Sequence, residues 1–122
     1  MKETKRMLQV GEMIRRNFGT VLQQEGSYIY GTEPFVTVTN VKMSPDLGIA
    51  KIYVSIYNVV DKHNVIFAME EDMERLRSSL YQRIRKQMRR MPLIQFYEDD
   101  TLDEMQKLNE VFDRIGSKDE EE

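Results

Sequence analysis

SPDLGIAKIYVSIY, residues 44–57, decides the fold. From Ile49 onward, Ala50, Ile52, Val54 and Ile56 alternate with Lys51, Tyr53, Ser55 and Tyr57. This period of two marks a strand with one buried face. Ser44-Pro45-Asp46-Leu47-Gly48 reads as a turn, since proline fixes one φ and glycine supplies flexibility. Ahead of it, PFVTVTNVKMS is rich in β-branched and apolar residues and predicts a strand over 35–43. Two strands joined by so short a turn predict an antiparallel hairpin.

Working outward, residues 4–24 place Met7, Val10, Gly11, Ile14, Phe18, Val21 and Leu22 on one stripe at helical spacing. Gly26 follows the last apolar turn and predicts a helix stop, with a loop from Gly26 to Pro34. Helical spacing returns over 62–90, with Met73, Leu76, Leu80, Ile84, Gln87 and Met91 on one side. Pro92 is expected to end that helix, and Leu93 to Tyr97 to form a third strand with Ile94 and Phe96 on one face. The long crossover from second to third strand predicts parallel pairing, with the usual right-handed connection. Thr101-Leu102-Asp103-Glu104 reads as a capping box for a last helix that turns Leu102, Met105, Leu108, Phe112 and Ile115 inward. The expectation is one α+β domain over 1–116, a three-stranded sheet with helices on one face, and a disordered acidic tail over 117–122.

At 122 residues the chain is long enough to bury a core without staples. It has no cysteine, which excludes disulfides, thiolate metal sites and cysteine nucleophiles. No apolar run reaches the roughly 18 residues of a membrane span, and the basic start lacks the apolar core of a signal peptide. A soluble cytoplasmic protein is the expectation. The formal charge of −3 averages two unlike regions. Residues 98–122 hold 11 acids against three bases, a local −8 that leaves +5 on residues 1–97. Such asymmetry hints at a nucleic-acid or membrane surface beside an acidic tail.

The cations concentrate in Arg75, Arg77, Arg83, Arg85, Lys86, Arg89 and Arg90, with no Asp or Glu between Arg75 and Arg90. On a helix they would form a basic stripe. A solvated face is the plainer reading, but such faces usually carry acids at i±4 to relieve repulsion, and here they are missing. A phosphate backbone would supply that relief. Lys2, Lys5, Arg6, Arg15 and Arg16 on the first helix either extend this surface or form an ordinary exposed face. Tyr28, Tyr30, Tyr53 and Tyr57 fit strand or loop packing better than base stacking. His63 is the only histidine, read as an exposed loop residue, so no histidine pair exists for a metal or a general base. Asp99, Asp100, Asp103 and Glu104 match no calcium loop and fit a helix N-terminus better. The nine methionines read as core filler.

Several of these stretches resemble the ribosome-binding factor A family of bacteria. The residues that carry the likeness are Arg6, Val10, Glu12 and Ile14, Val36 to Val41, Ser44-Pro45-Asp46-Leu47 and Ala50 to Ser55. Leu76-Arg77 to Arg89, Pro92, Phe96 and Asp99-Asp100-Thr101 continue it, so that it covers most of residues 6–112. The resemblance implies a type II KH-like fold running helix, strand, strand, helix, helix, strand. It also implies a non-enzymatic assembly factor, without cofactor, that binds the small ribosomal subunit and helps its ribosomal RNA mature, especially in the cold, among other assembly factors. Two departures stand out. Asp72-Met73-Glu74 occupies the place of the family's Ala-x-Gly kink, and Gly26 to Glu33 lacks the Asp-Pro-Arg of many members. Carboxylates at the kink repel phosphate, which shifts RNA contact onto the basic residues.

The leading expectation is a monomeric binding module whose phosphate contacts come from Arg75, Arg83, Arg85, Lys86, Arg89 and Arg90, joined by Lys5, Arg15 and Arg16. The alternative is a protein-interaction adaptor whose basic helix docks an acidic partner without touching RNA. An enzyme ranks behind both, because no nucleophile, base and oxyanion donor group at a known spacing.

Overall fold

A computed structural model describes residues 3–99. Six elements follow in order: α1 (Lys5–Tyr30), β1 (Phe35–Met43), β2 (Ile49–Tyr57), α2 (Lys62–Glu71), α3 (Met73–Ile84) and β3 (Leu93–Glu98). The expected capping box at 101–104, the helix beyond it and the acidic tail lie outside the described residues, as does Lys2.

The hairpin forms as its alternation predicts. β1 and β2 pair antiparallel from Phe35 opposite Tyr57 to Met43 opposite Ala50, with a bulge at Thr39 between Val38 and Asn40. β3 joins β2 in parallel, Ile49 opposite Leu93 through Val54 opposite Glu98, giving the order β1-β2-β3. A crossover of two helices makes that pairing possible. One face of the sheet meets the helices. Ala50, Ile52, Val54 and Ile56 are all buried there, with Val38, Val41 and Met43 from β1 and Ile94 from β3.

α1 presents Met7, Val10, Gly11, Ile14, Phe18, Val21 and Leu22 to this face, the stripe that its spacing predicts. Thr4 caps it: its hydroxyl accepts from the Met7 N–H at 3.1 Å, and its own N–H donates to the Met7 sulfur at 3.3 Å. Gly11 lies where helix and strand come closest. A Cβ built there would sit 2.7 Å from the Val41 carbonyl oxygen. Phe18 reaches Phe96 at a centroid distance of 5.7 Å and so links α1 to β3. Met7, Met43, Met69 and Met88 are among the buried core residues, the filling role their flexibility suits.

Three boundaries differ from expectation. α1 does not stop at Gly26 but runs to Tyr30, and the loop shrinks to 31–34. Gly26 is there for space: a Cβ at that position would collide with the Tyr30 phenol, which folds back over it. Burial in turn pushes the Tyr30 hydroxyl pKa upward. The segment 62–90 is two helices rather than one, broken at Asp72 with φ −99° and ψ 27°. This sparsely populated bridge conformation is open to aspartate, so the break forms without a glycine. Finally α3 ends at Ile84, well before Pro92. The Ile84 carbonyl accepts from both Gln87 at 2.9 Å and Met88 at 3.1 Å, which tightens the chain into a turn. Met88 thereby takes the buried place expected of Gln87, which is exposed.

Candidate nucleic-acid interface

Ending α3 at Ile84 changes what the cations are. Arg85 caps the helix, and Lys86, Arg89 and Arg90 lie in the irregular segment before β3, so there is no basic helix face over 75–90. Two buried anchors shape that segment. Met88 and Pro92 point into the protein, and the Leu93 N–H donates to the Gly48 carbonyl at 2.8 Å. The exposed cations between these anchors are thereby held beside the β1–β2 turn.

The result is an open cleft of about 470 Å³ whose lining includes Arg6 of α1, Asp46 and Leu47 of the turn, and Arg85, Lys86, Arg89 and Arg90. Among the described residues, five cations face one carboxylate there. That carboxylate is already engaged: Asp46 accepts from the Ser44 hydroxyl at 2.7 Å and from the Gly48 N–H at 3.0 Å. These two bonds, and to a lesser degree the charge of Arg90, hold its pKa below the ordinary carboxylate value. Leu47, not Gly48, takes the left-handed backbone at φ 60°. Gly48 instead leaves room for the two side chains that converge over it, since a Cβ there would lie 3.1 Å from both Arg90 Nη2 and Asp46 Oδ2.

The other sequence candidates sit elsewhere. Arg75 pairs with Glu25 at 2.7 Å and lies over the Tyr28 ring at 5.2 Å, a tether between α3 and α1. Arg83 donates to Asn17 Oδ1 at 3.3 Å across the same seam. Arg15 and Arg16 both engage Glu12, at 2.6 and 3.1 Å. The Arg15 hydrogen bond, the largest influence on Glu12, brings its pKa down to about 2. Lys5 is exposed at the start of α1 and is not among the residues that line the cleft. Arg77 turns inward, with its Nε buried and unpartnered. Thus the structure brings together Arg85, Lys86, Arg89 and Arg90 with Arg6, and separates them from Arg75, Arg83, Arg15 and Arg16.

Among the tyrosines, Tyr53 stacks on Tyr97 at 5.4 Å, with the Lys42 ammonium 5.6 Å from the Tyr53 ring. His63 is not in a loop but in the first turn of α2, exposed and 3.9 Å from Glu98. Among the described residues no group of His, Cys, Asp and Glu could hold a metal ion, and no helix is long and apolar enough to cross a membrane.

What the cleft can do chemically is hold phosphates. Guanidinium and ammonium groups around one concavity form charge-assisted hydrogen bonds to phosphate oxygens, and the C-terminal end of α3 accommodates the cations while they wait. The family model described as Ribosome-binding factor A matches residues 6–112. This chain belongs to the ribosome-binding factor A family. Ribosome-binding factor A of Cytophaga hutchinsonii is 34% identical over 113 residues, covering 93% of this chain and 84% of that protein. The same factor from Chlorobaculum tepidum is 34% identical over 110 residues, covering 84% and 92%. Among solved structures, crystalline ribosome-binding factor A of Thermus thermophilus superposes with a TM-score of 0.62 at 20% identity, covering 75% of this chain and 94% of that one. A model of the Thermus protein fitted into a cryo-EM map of its complex with the 30S particle gives a TM-score of 0.59 at 23% identity, covering 73% and 90%. The α+β fold with its two-helix crossover is therefore the KH-like fold of the ribosome-binding factor A family, as the sequence resemblance implied.

Proposed function

We propose that this protein binds the free small ribosomal subunit as a monomer, holds ribosomal RNA phosphates in the cleft of Arg6, Arg85, Lys86, Arg89 and Arg90, and assists late maturation of that RNA. The observation that carries this reading is the convergence of five cations from two distant segments on a concavity whose carboxylate, Asp46, is already hydrogen-bonded. A solvated surface gains nothing from such convergence, whereas a phosphate backbone neutralises it and releases counterions. The 30S complex of the Thermus relative supports the choice of particle.

The test is co-sedimentation with purified small subunits. Replacing Lys86 and Arg89 by Glu is expected to weaken binding by at least about tenfold, because two attractions become repulsions. The salt slope should fall by roughly 0.7 to 0.9 for every phosphate that the variant no longer neutralises. Both side chains are exposed, so the circular dichroism spectrum should stay unchanged. A folded double variant that sediments like the wild type would refute the reading and favour an acidic protein as the partner of this cleft.

A further inference from the structure

The opposite end of the hairpin carries a second cleft with reversed character. It measures about 510 Å³ and lies between the end of α1, the 31–34 loop and the start of α2. Ile29, Pro34, Val59, Val65 and Ala68 give it apolar walls, and Glu33 and Asp61 are its charged members. Among the described residues no Lys or Arg lines it. Apolar residues that line one concavity mark an interaction site, whereas scattered exposed ones do not.

The walls are braced. Asn58, at φ 66°, donates from its side-chain amide to the Glu33 carbonyl at 2.9 Å and so ties the two loops together. Asp61 fixes the start of α2 by accepting from the His63 and Asn64 N–H groups at 3.1 and 3.4 Å. The cleft is therefore formed before anything enters it, and a preorganised site loses less entropy on binding.

We infer that this cleft docks a basic amphipathic segment of a protein partner, whose apolar side chains enter between α1 and α2 while its Lys and Arg residues meet Glu33 and the Oδ2 of Asp61, whose Oδ1 caps α2. Charge complementarity selects that occupant. Two carboxylates without a cation among the described lining residues repel a phosphate backbone. A second copy of this chain related by a two-fold axis would set Glu33 and Asp61 against themselves, a like-charge contact that costs affinity. The nine residues of β1 separate the two clefts by about 26 Å at roughly 3.3 Å per residue. One molecule can thus hold an anionic polymer at the turn end of its hairpin and a cationic peptide at the open end. This inference goes beyond the phosphate reading and does not depend on it.

The test is an NMR titration of the full chain, without nucleic acid, by a synthetic leucine–lysine amphipathic helix about 18 residues long, roughly five turns. Saturable amide shifts are expected at Gly31, Val59, Asn64 and Ala68. The double variant Ile29→Ser and Val59→Ser should weaken binding at least about tenfold, since two apolar residues of the cleft lining become polar. Both residues are only partly buried, and an unchanged amide spectrum elsewhere will show that the variant is folded. Glu33→Gln should flatten the salt dependence without abolishing binding. Shifts centred away from this cleft, or equal affinity of the double variant, would overturn the inference. So would the same amides responding more strongly to a single-stranded uridine oligonucleotide, which would make the cleft a nucleic-acid site.

Discussion

Replacing Gly11 by alanine should destabilise the protein, although alanine is the better helix former, and the same change at Gly19 should stabilise it. Both glycines lie inside α1 and differ in what a methyl group would meet. At Gly19 there is nothing within 4 Å, while at Gly11 the Val41 carbonyl oxygen lies 2.7 Å away. Heavy atoms attract at about 3.5 Å, so that methyl would intrude by most of an ångström. The neighbour is main chain in the middle of β1, paired with Ile52, and has no rotamer to change. Relief requires α1 to lift from the sheet, loosening Met7, Val10 and Ile14 together. Overpacking of this kind costs about 1–3 kcal/mol, and a rigid neighbour places the cost in the upper half of that range. Helix propensity returns roughly 1 kcal/mol. The balance is a loss of about 1–2 kcal/mol for Gly11→Ala and a gain of about 0.5–1 kcal/mol for Gly19→Ala. At roughly 3–6 °C per kcal/mol for a domain of this size, the two melting temperatures should stand about 5–18 °C apart, with the wild type between them. Thermal melts followed at 222 nm, with urea titrations beside them, measure both. A Gly11→Ala protein as stable as the wild type would refute the close approach of α1 to β1.

Three further outcomes are expected. Following the Glu12 carboxyl by NMR should give a midpoint near 2, because Arg15 and Arg16 favour its charged form. A depressed carboxylate stabilises the fold above its ordinary pKa, so this contribution should be intact at neutral pH and disappear as pH falls from about 4.5 towards 2. Asp46→Asn should tighten small-subunit binding in co-sedimentation by removing a negative charge from the cationic cleft; weaker binding with an unchanged fold would show that the carboxylate itself is needed. A double-mutant cycle on Tyr53 and Tyr97 in urea melts should return a coupling of about 0.5–1.5 kcal/mol from their stacked rings, and zero coupling would remove that contact.

Much of the fold was legible because a strand of period two leaves few alternatives. The apolar positions of IAKIYVSIY and the buried stripe of α1 read correctly, and the parallel place of β3 followed from the length of its crossover; Ser55, read on the exposed face of β2, is instead fully buried. The errors share a cause: space and partners distant in sequence. Gly26 looks like a stop unless the Tyr30 ring folding over it is known. Leu76, Leu80, Ile84 and Met88 keep a four-residue spacing through the end of α3, so the pattern continues where the helix does not. Read from the chain alone, the basic residues of 75–90 stand out together, but Arg6 is absent from the expected contacts and the grouping is not visible. Arg75 has its acid at Glu25, fifty positions back, and no local window contains that pair. Asp46 read only as a turn residue, because its position beside Arg90 exists only once the Leu93 N–H meets the Gly48 carbonyl.

That last hydrogen bond has a kinetic consequence. Ile49 and Leu93 are register partners 44 positions apart, whereas the hairpin closes over a five-residue turn. Loop-closure entropy therefore favours early hairpin formation and delays the docking of β3. The cations at 85–90 immediately precede β3, so they take up their places beside the turn only when that strand arrives. Their arrival and the docking of β3 are then one event. A nascent or partly opened chain would carry the same charges on a loose tether, and amide exchange should show β3 releasing its protons before the hairpin does.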